Sequence, residues 1–345
     1  MTFWLSACVV GIVAYSAVRL ARKLALEKAL VDRPNERISH TLPVPRLGGA
    51  AFVPVVLGAS GLVAWHEIQS WSAVATFIAA SVVLYGIGLM DDVRPLPAGL
   101  RLAGHVVAAA VFVWVVGSVR PHALAVSALP NWIMGGAVIL WIVGLLNIYN
   151  FMDGIDGLAG TQAVVAGVTW AAIGVSCGAP YAVCLGAFTA AGGLGFLVLN
   201  WPPAKIFMGD AGSTVLGFSF SAMPLLVGAE ARTVPGANRL FLAAGLIVWP
   251  FLADGAFTIL RRLAKQENIF RAHRSHLYQR LVIAGISHRQ VTVVYGCMAS
   301  VCALTGWLVV ARQSLPSVCA ALVPLLSFLI LWLWTERSER VASKL

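Results

Sequence analysis

The sequence predicts an all-α polytopic integral membrane protein of about 10–11 transmembrane helices, with its N-terminus outside and its C-terminus cytoplasmic. Three observations predict this. The 345-residue chain is 59% hydrophobic and only 11% charged, whereas soluble domains average about 25% charged residues. Apolar stretches of about 20 residues, the length a helix needs to cross the bilayer core, recur from end to end. Finally, 20 of the 24 Lys and Arg lie in or flush with one alternating set of connections, and such asymmetry marks the cytoplasmic side. The alternating ten-residue segments of a membrane barrel are missing.

The expected spans are 3–22, 48–65, 71–90, 102–119, 131–149, 158–177, 181–199, 213–229, 238–259, 291–311 and 317–335. The first has no preceding basic residue and no small-residue cleavage site, so it reads as a retained helix. With no internal repeat or linker, residues 1–345 form one membrane-embedded domain. Its loops 23–47, 91–101, 150–157, 200–212 and 260–290 face the cytoplasm and are expected to form the active site. Only Arg120, Arg232, Arg239 and Arg312 fall on the other side. Six cysteines in or beside apolar segments lack metal-ligand spacing and read as packing residues. The net charge of +10 suits anionic lipid headgroups and anionic substrates equally.

Fourteen carboxylates are spread along the chain, and six aspartates, Asp91, Asp92, Asp153, Asp156, Asp210 and Asp254, fall near the cytoplasmic ends of spans. Charge at the bilayer centre costs about 2.5–3.5 kcal/mol, so aspartates flush with the membrane need water or a cation. In GLMDDVRPL (88–96) the adjacent Asp91 and Asp92 repel; a cation, or a proton on one of them, relieves this. A solvated turn is the plain alternative. In NIYNFMDGIDGLAG (147–160), Asn147, Asn150, Asp153 and Asp156 are spaced by threes, with Gly154 and Gly157 permitting a turn or close approach to a ligand. Helix capping is the alternative. In NWPPAKIFMGDAGSTVLG (200–217), Pro202 and Pro203 break one span and Gly209–Ser213 opens the next. The amides there suit phosphate, Asp210 suits magnesium, and Lys205 adds positive charge; a simple cap would also explain Asp210. Two basic stretches complete this face, 32–49 with Arg33, Arg37, His40 and Arg46, and 261–280 with His273, Arg274 and His276. Carboxylates for Mg²⁺ beside cations for phosphate suit phosphoryl transfer from a nucleotide donor.

Together these motifs resemble the polyprenyl-phosphate N-acetylhexosamine-1-phosphate transferases, the MraY and WecA enzymes among them, over about residues 32–281. GLMDD is similar to the family's double-aspartate motif, NFMDGIDGLAG to its Asn-x-x-Asp-Gly-x-Asp-Gly motif, and FMGDAGS to its magnesium loop. The resemblance implies transfer of a sugar 1-phosphate from a UDP-N-acetylhexosamine to undecaprenyl phosphate, releasing UMP. It implies Mg²⁺ (with Mn²⁺ as an alternative) on Asp210, and Asp91 or Asp92 deprotonating or orienting the lipid phosphate. Asn150, Asp153 and Asp156 would line the nucleotide site, with Phe207 on uracil and Asn200 nearby. Arg46, Lys205, His273 and Arg274 would contact substrate. Of the family's His-x-His-His motif only His276 maps, as a catalytic residue; Tyr278 and Gln279 stand at the other two histidine positions, whose role is dropped, shared with His273 or taken over by Tyr278. RPNERISHTLPVPR and HRSHLYQRL look most like the WbpL-type branch, which begins O-antigen chains with a GlcNAc, FucNAc or QuiNAc unit. Membrane lipids are then further partners, nucleic acid is not, and a homodimer is compatible. The implied location is the bacterial inner membrane. Asp254 is expected to be structural, pairing with a basic residue one or two turns away. The competing class is a secondary transporter, which places its carboxylates near the bilayer midplane rather than at one surface.

Overall fold

The computed structural model describes residues 2–27, 44–67, 71–119, 123, 130–231, 236–268, 273–311 and 317–344. Arg33, Arg37 and His40 lie outside these residues. The described chain forms α1 (Thr2–Glu27), α2 (Gly48–Glu67), α3 (Trp71–Val93), α4 (Ala98–Val119), α5 (Asn131–Phe151), α6 (Leu158–Cys177) and α7 (Pro180–Asn200). These are followed by α8 (Asp210–Glu230), α9 (Ala237–Ile247), α10 (Trp249–Ala264), α11 (Leu277–Ile283), α12 (His288–Ala311) and α13 (Ser317–Ala342). Ten of these helices are long and apolar enough to cross a membrane, and α9 with α10 forms one further, bent pair. The chain is an all-helical polytopic membrane protein.

At the centre stands α8, buried at every position from Ala211 to Ala229. A helix apolar all round belongs inside a bundle rather than against lipid on one face. Helices α3 and α5 pack along it, with Phe77 stacked on Phe218 at 5.4 Å. That packing brings the last turn of α3 beside the first turn of α8. Helices α6 and α7 make the most extensive pair, and small residues allow it. A β-carbon at Gly167 would lie 2.6 Å from the Gly186 carbonyl oxygen, and one at Gly186 would lie 2.6 Å from the Ala171 nitrogen. Without a hydrophobic drive between helices in lipid, such close backbone approach supplies the packing energy.

Three local differences from the expected spans shape the polar end of the bundle. The stretch 238–259 is not one helix: α9 and α10 meet at Val248 with a 78° bend. Pro250, in the first turn of α10, has no N–H to continue the α9 ladder. At 11 residues, α9 is roughly 16 Å long, too short to cross alone. Helix α3 runs through Asp91 and Asp92, and α4 already begins at Ala98, so Arg101 is helical rather than part of a loop. Inside the expected 260–290 loop lies the short helix α11.

The last turns of α1 reach the α7–α8 connection, where Arg22 Nε donates to the Lys205 carbonyl at 3.1 Å. The start of α1 therefore lies at the far end of the bundle. Near the end of α13, Glu336 and Glu339 bind Arg280 of α11, which places that end beside the aspartates.

Candidate functional site

The three aspartate motifs meet at one structural element, the N-terminus of α8. Gly209, just before the helix, has φ +79°, and a β-carbon there would strike the Arg46 carbonyl at 2.5 Å and the Asp92 carboxylate at 2.7 Å. Glycine is thus required both by conformation and by space. The amides around this terminus are taken by acids from the other two motifs. Asp92 accepts from Asp210 N–H at 2.7 Å and Ala211 N–H at 3.0 Å, while Asp153 accepts from Gly209 N–H. Two carboxyl groups from distant motifs therefore cap one helix. The expectation that these amides are free for phosphate is corrected, since Asp92 and Asp153 already occupy them.

Asp91 faces away from its neighbour. Its carboxylate accepts from Leu96 N–H at 2.6 Å and from Arg101 Nη1 at 2.7 Å. The same Arg101 nitrogen lies 3.0 Å from Asp210 Oδ2. Repulsion between Asp91 and Asp92 is thus relieved by two separate devices, a guanidinium and a helix terminus. Asn150 Nδ2 donates to Ser213 Oγ at 2.9 Å and is within hydrogen-bonding reach of Asp210, so the second motif also touches the third directly. Burial, with Asp210 and Asp92 beside it, holds the Asp153 carboxyl well above the usual carboxylate range, against the pull of Arg46.

Two staples join the second and third motifs on their other side. Asn200, almost wholly buried, accepts from Gly157 N–H and donates to the Ile206 carbonyl, both at 2.9 Å. Asp156 accepts from Ala204 N–H at 3.0 Å and faces His288 Nδ1 at 3.3 Å. The chain before α2 is tied in by backbone bonds, Phe207 N–H to Pro45 O (2.8 Å) and Gly48 N–H to Phe207 O (2.9 Å). That pairing sets Arg46 and Phe207 side by side.

The opposite wall is built by the bend between α9 and α10. Asp254, fully buried on α10, accepts from Leu277 N–H (2.9 Å), Tyr278 N–H (3.1 Å), Tyr295 Oη (2.7 Å) and Thr258 Oγ1 (3.2 Å), and meets His276 Nδ1 at 3.1 Å. Its partner is the loop histidine 22 residues later rather than a basic residue on its own helix, because the bend turns α10 beneath α11. His276 stacks on His273, with ring centroids 5.2 Å apart. Burial, with His276 and Arg262 nearby, lowers His273 to about 4, so this ring is neutral at pH 7. Tyr278 donates from Oη to the Phe151 carbonyl at 2.9 Å and covers Gly154, where it occupies the space a side chain would need.

Between the walls lies a cavity of about 580 Å³. Of the residues expected from sequence, Arg46, Asn150, Asp153, Asp156, Phe207, Asp210, His273 and His276 line it. Asp91 stands just behind Arg101, and Asp92 and Asn200 act from behind the lining as described. Lys205 is exposed and Arg274 half-buried, and neither lines the cavity. Asn147, singled out with Asn150 for its spacing, lines it too, whereas sequence reasoning missed Arg101, His105, Arg262 and His288, which also do. Arg101 was legible as a lone charge at the edge of a long apolar run, and His105, inside such a run, gave the stronger signal, whereas His288 is one of several polar residues in 287–290. The lining carboxylates all sit at helix ends, at one end of the bundle.

Among the described residues, no three Asp, Glu, His or Cys side chains converge to hold a metal by themselves. Asp210 and Asp91 nevertheless form a pair of hard oxygen donors that already draws a cation, the Arg101 guanidinium, between them. Such a pair fits magnesium, which takes one or two carboxylates and completes its shell with water and substrate phosphates.

A polytopic helical bundle with acids and guanidinium groups around one cavity at one of its ends suits a membrane-embedded enzyme of phosphorylated substrates. Residues 74–228 match the model of glycosyl transferase family 4. The chain is 31% identical over 286 residues to a probable undecaprenyl-phosphate N-acetylglucosaminyl 1-phosphate transferase of Bacillus subtilis, covering 80% of this chain and 76% of that one. It is also 31% identical over 293 residues to a phospho-N-acetylmuramoyl-pentapeptide-transferase of Levilactobacillus brevis (78% and 85% covered). An undecaprenyl-phosphate alpha-N-acetylglucosaminyl 1-phosphate transferase of Escherichia coli O157:H7 is 28% identical over 337 residues (93% and 88%). The chain belongs to this family, the polyprenyl-phosphate N-acetylhexosamine-1-phosphate transferases.

Proposed function

We propose that the protein transfers an N-acetylhexosamine 1-phosphate from a UDP-sugar to undecaprenyl phosphate, giving undecaprenyl-diphospho-sugar and UMP. The observation that carries this reading is the meeting of all three aspartate motifs at the start of α8, with Asp210 facing Arg101, Asp91 and Asn150 at the cavity wall. Attack of one phosphate on another gathers negative charge, and fixed cations in a site closed to bulk water stabilise it strongly.

Asp210, with Asp91 beside it, would hold Mg²⁺ or Mn²⁺; when bound, the ion neutralises charge on the donor diphosphate. Asp92 orients this wall by capping α8, so an orienting role suits the Asp91–Asp92 pair better than deprotonation. Asn150, Asp153, Asp156 and Phe207 would bind the uridine end, with Asp153 offering a protonated carboxyl as a hydrogen-bond donor. Arg46 and Arg101 would bind phosphate. Since Lys205 and Arg274 stand outside the cavity lining, their part in substrate binding would be confined to its approaches. The positive charge bias supports a cytoplasmic site in the bacterial inner membrane, with the N-terminus outside. The similarity of RPNERISHTLPVPR and HRSHLYQRL to the WbpL-type branch supports a role in initiating O-antigen or related envelope polysaccharide, with GlcNAc, FucNAc or QuiNAc as the sugar.

Purified protein given undecaprenyl phosphate, Mg²⁺ and a panel of UDP-N-acetylhexosamines should release UMP, and EDTA should stop it. Metal-independent release would sink the assigned role of Asp210, and silence with every donor would sink the substrate class.

A further inference from the structure

The cavity holds one imidazole whose orientation is dictated from outside the lining. His276 is almost wholly buried (4% exposed) yet lines the cavity, and its Nδ1 meets Asp254 Oδ1 at 3.1 Å. Asp254 does not line the cavity and is 0% exposed. Two backbone N–H groups and the hydroxyls of Tyr295 and Thr258 also point at its carboxylate. With four donors around it besides the imidazole, Asp254 is held as the carboxylate, and a carboxylate 3.1 Å from Nδ1 places the hydrogen on that nitrogen. The lone pair of Nε2 is then left for the cavity side. The start of α11 is capped by those two backbone bonds and by Gln279 Oε1, which accepts from His276 N–H at 3.3 Å. The link to His276, with Tyr295 bracing the carboxylate from α12, is what a structural cap alone does not require.

We infer that Asp254 is a positioning residue that fixes the tautomer and tilt of His276, making Nε2 the proton acceptor of the site, with Tyr295 as the brace. This rests on the transferase reading above and deepens it. The acceptor phosphate gives up its hydroxyl proton to Nε2 as that oxygen bonds to the β-phosphorus of the donor. The bond from that phosphorus to the bridging oxygen breaks, its electron pair leaves with UMP, and the UMP phosphate takes the proton from Nε2, so the dyad returns unchanged. The division of labour follows from the geometry. Asp92 is committed to α8 and Asp91 to Arg101, and neither lines the cavity, whereas His276 does. An acid buried behind an imidazole holds the ring through its charged state without itself taking the proton.

The test is steady-state UMP release by Asp254→Asn, His276→Gln, Tyr295→Phe and the doubles combining each of the first and third with His276→Gln. Asn can present its amide N–H to Nδ1 and so favour the wrong tautomer. Asp254→Asn should lower kcat about 100-fold or more with KM for both substrates within about twofold of wild type. The double Asp254→Asn/His276→Gln should be no slower than His276→Gln alone, since groups acting as one unit are non-additive. Near-normal kcat in Asp254→Asn, or a full additional loss in the double, would overturn the proposal. If Asp254→Asn does not elute as a folded species, Tyr295→Phe carries the test. It should lose kcat several-fold in the wild-type background and nothing further beside His276→Gln; an unchanged kcat, or an equal loss in both backgrounds, would overturn the proposal. A wild-type protein that releases no UMP with any donor would instead refute the transferase reading.

Discussion

The two walls of the cavity solve opposite problems with the same chemistry. On the α3–α8 wall, carboxylates are the working groups and the fold supplies their donors: Arg101 for Asp91 and Asp210, and the first amides of α8 for Asp92. On the α10–α12 wall the carboxylate of Asp254 is the support and an imidazole is presented. The first wall is partly open, and Asp153 and Asp210 line the cavity. The second is buried, and its one acid is surrounded by donors. Oxygen donors in the first therefore face the cavity, while the acid of the second fixes geometry.

Substitutions should separate the walls by size and kind of effect. Asp210→Asn, on the acidic wall, is expected to have the largest, a loss of UMP release of about 10³-fold that added Mg²⁺ does not recover. Recovery at high Mg²⁺ would make Asp210 dispensable to the metal. Arg101→Gln leaves Asp91 and Asp210 facing one another and should cost about tenfold in kcat/KM, or about 1.4 kcal/mol, with Arg101→Lys intermediate. Equal rates for all three would leave Arg101 without a part in the chemistry.

Smaller effects should fall on stability. Tyr278→Phe deletes the bond to the Phe151 carbonyl and should cost about 1 kcal/mol, seen as a lower Tm in detergent. Asp153 works the other way. Its folded-state pKa is raised, so folding opposes its ionisation, and stability is lost as pH rises above the unfolded value of about 3.9. In EDTA, Asp153→Asn should raise Tm at pH 8 and leave it nearly unchanged at pH 4; a lower Tm at pH 8 would contradict the assigned burial. The least effect is expected from His273→Gln on the pH profile. With its pKa near 4, this ring stays neutral from pH 6 to 8, so the shape of the kcat/KM profile over that range should not change.

The acidic wall was legible in the sequence because its residues interrupt apolar runs. GLMDD, NFMDGIDG and FMGDAGS each put charge where a span should end, and each feeds the same helix terminus. Even there, the pattern did not say which groups the amides would serve. The expected phosphate seat on α8 is occupied by Asp92 and Asp153, a contact made over 118 residues in the first case. The second wall was largely hidden. Asp254 stands inside an apolar stretch that reads as one span, and only the 78° bend at Val248 brings it beneath His276. Its donors come from residues 4 to 41 positions away, with no spacing to announce them. His105 and Asn147 had a clearer signal as polar residues inside predicted spans, but their shared cavity depends on how α4 and α5 pack.

In the proposed reaction a sugar phosphate, rather than a sugar, is moved. The most direct measurement is the mass of the lipid product formed from undecaprenyl phosphate and a UDP-N-acetylhexosamine by the purified protein. Sugar-phosphate transfer predicts a lipid diphosphate bearing the sugar, matched mole for mole by UMP. A lipid monophosphate bearing the sugar, with UDP as the co-product, would contradict it.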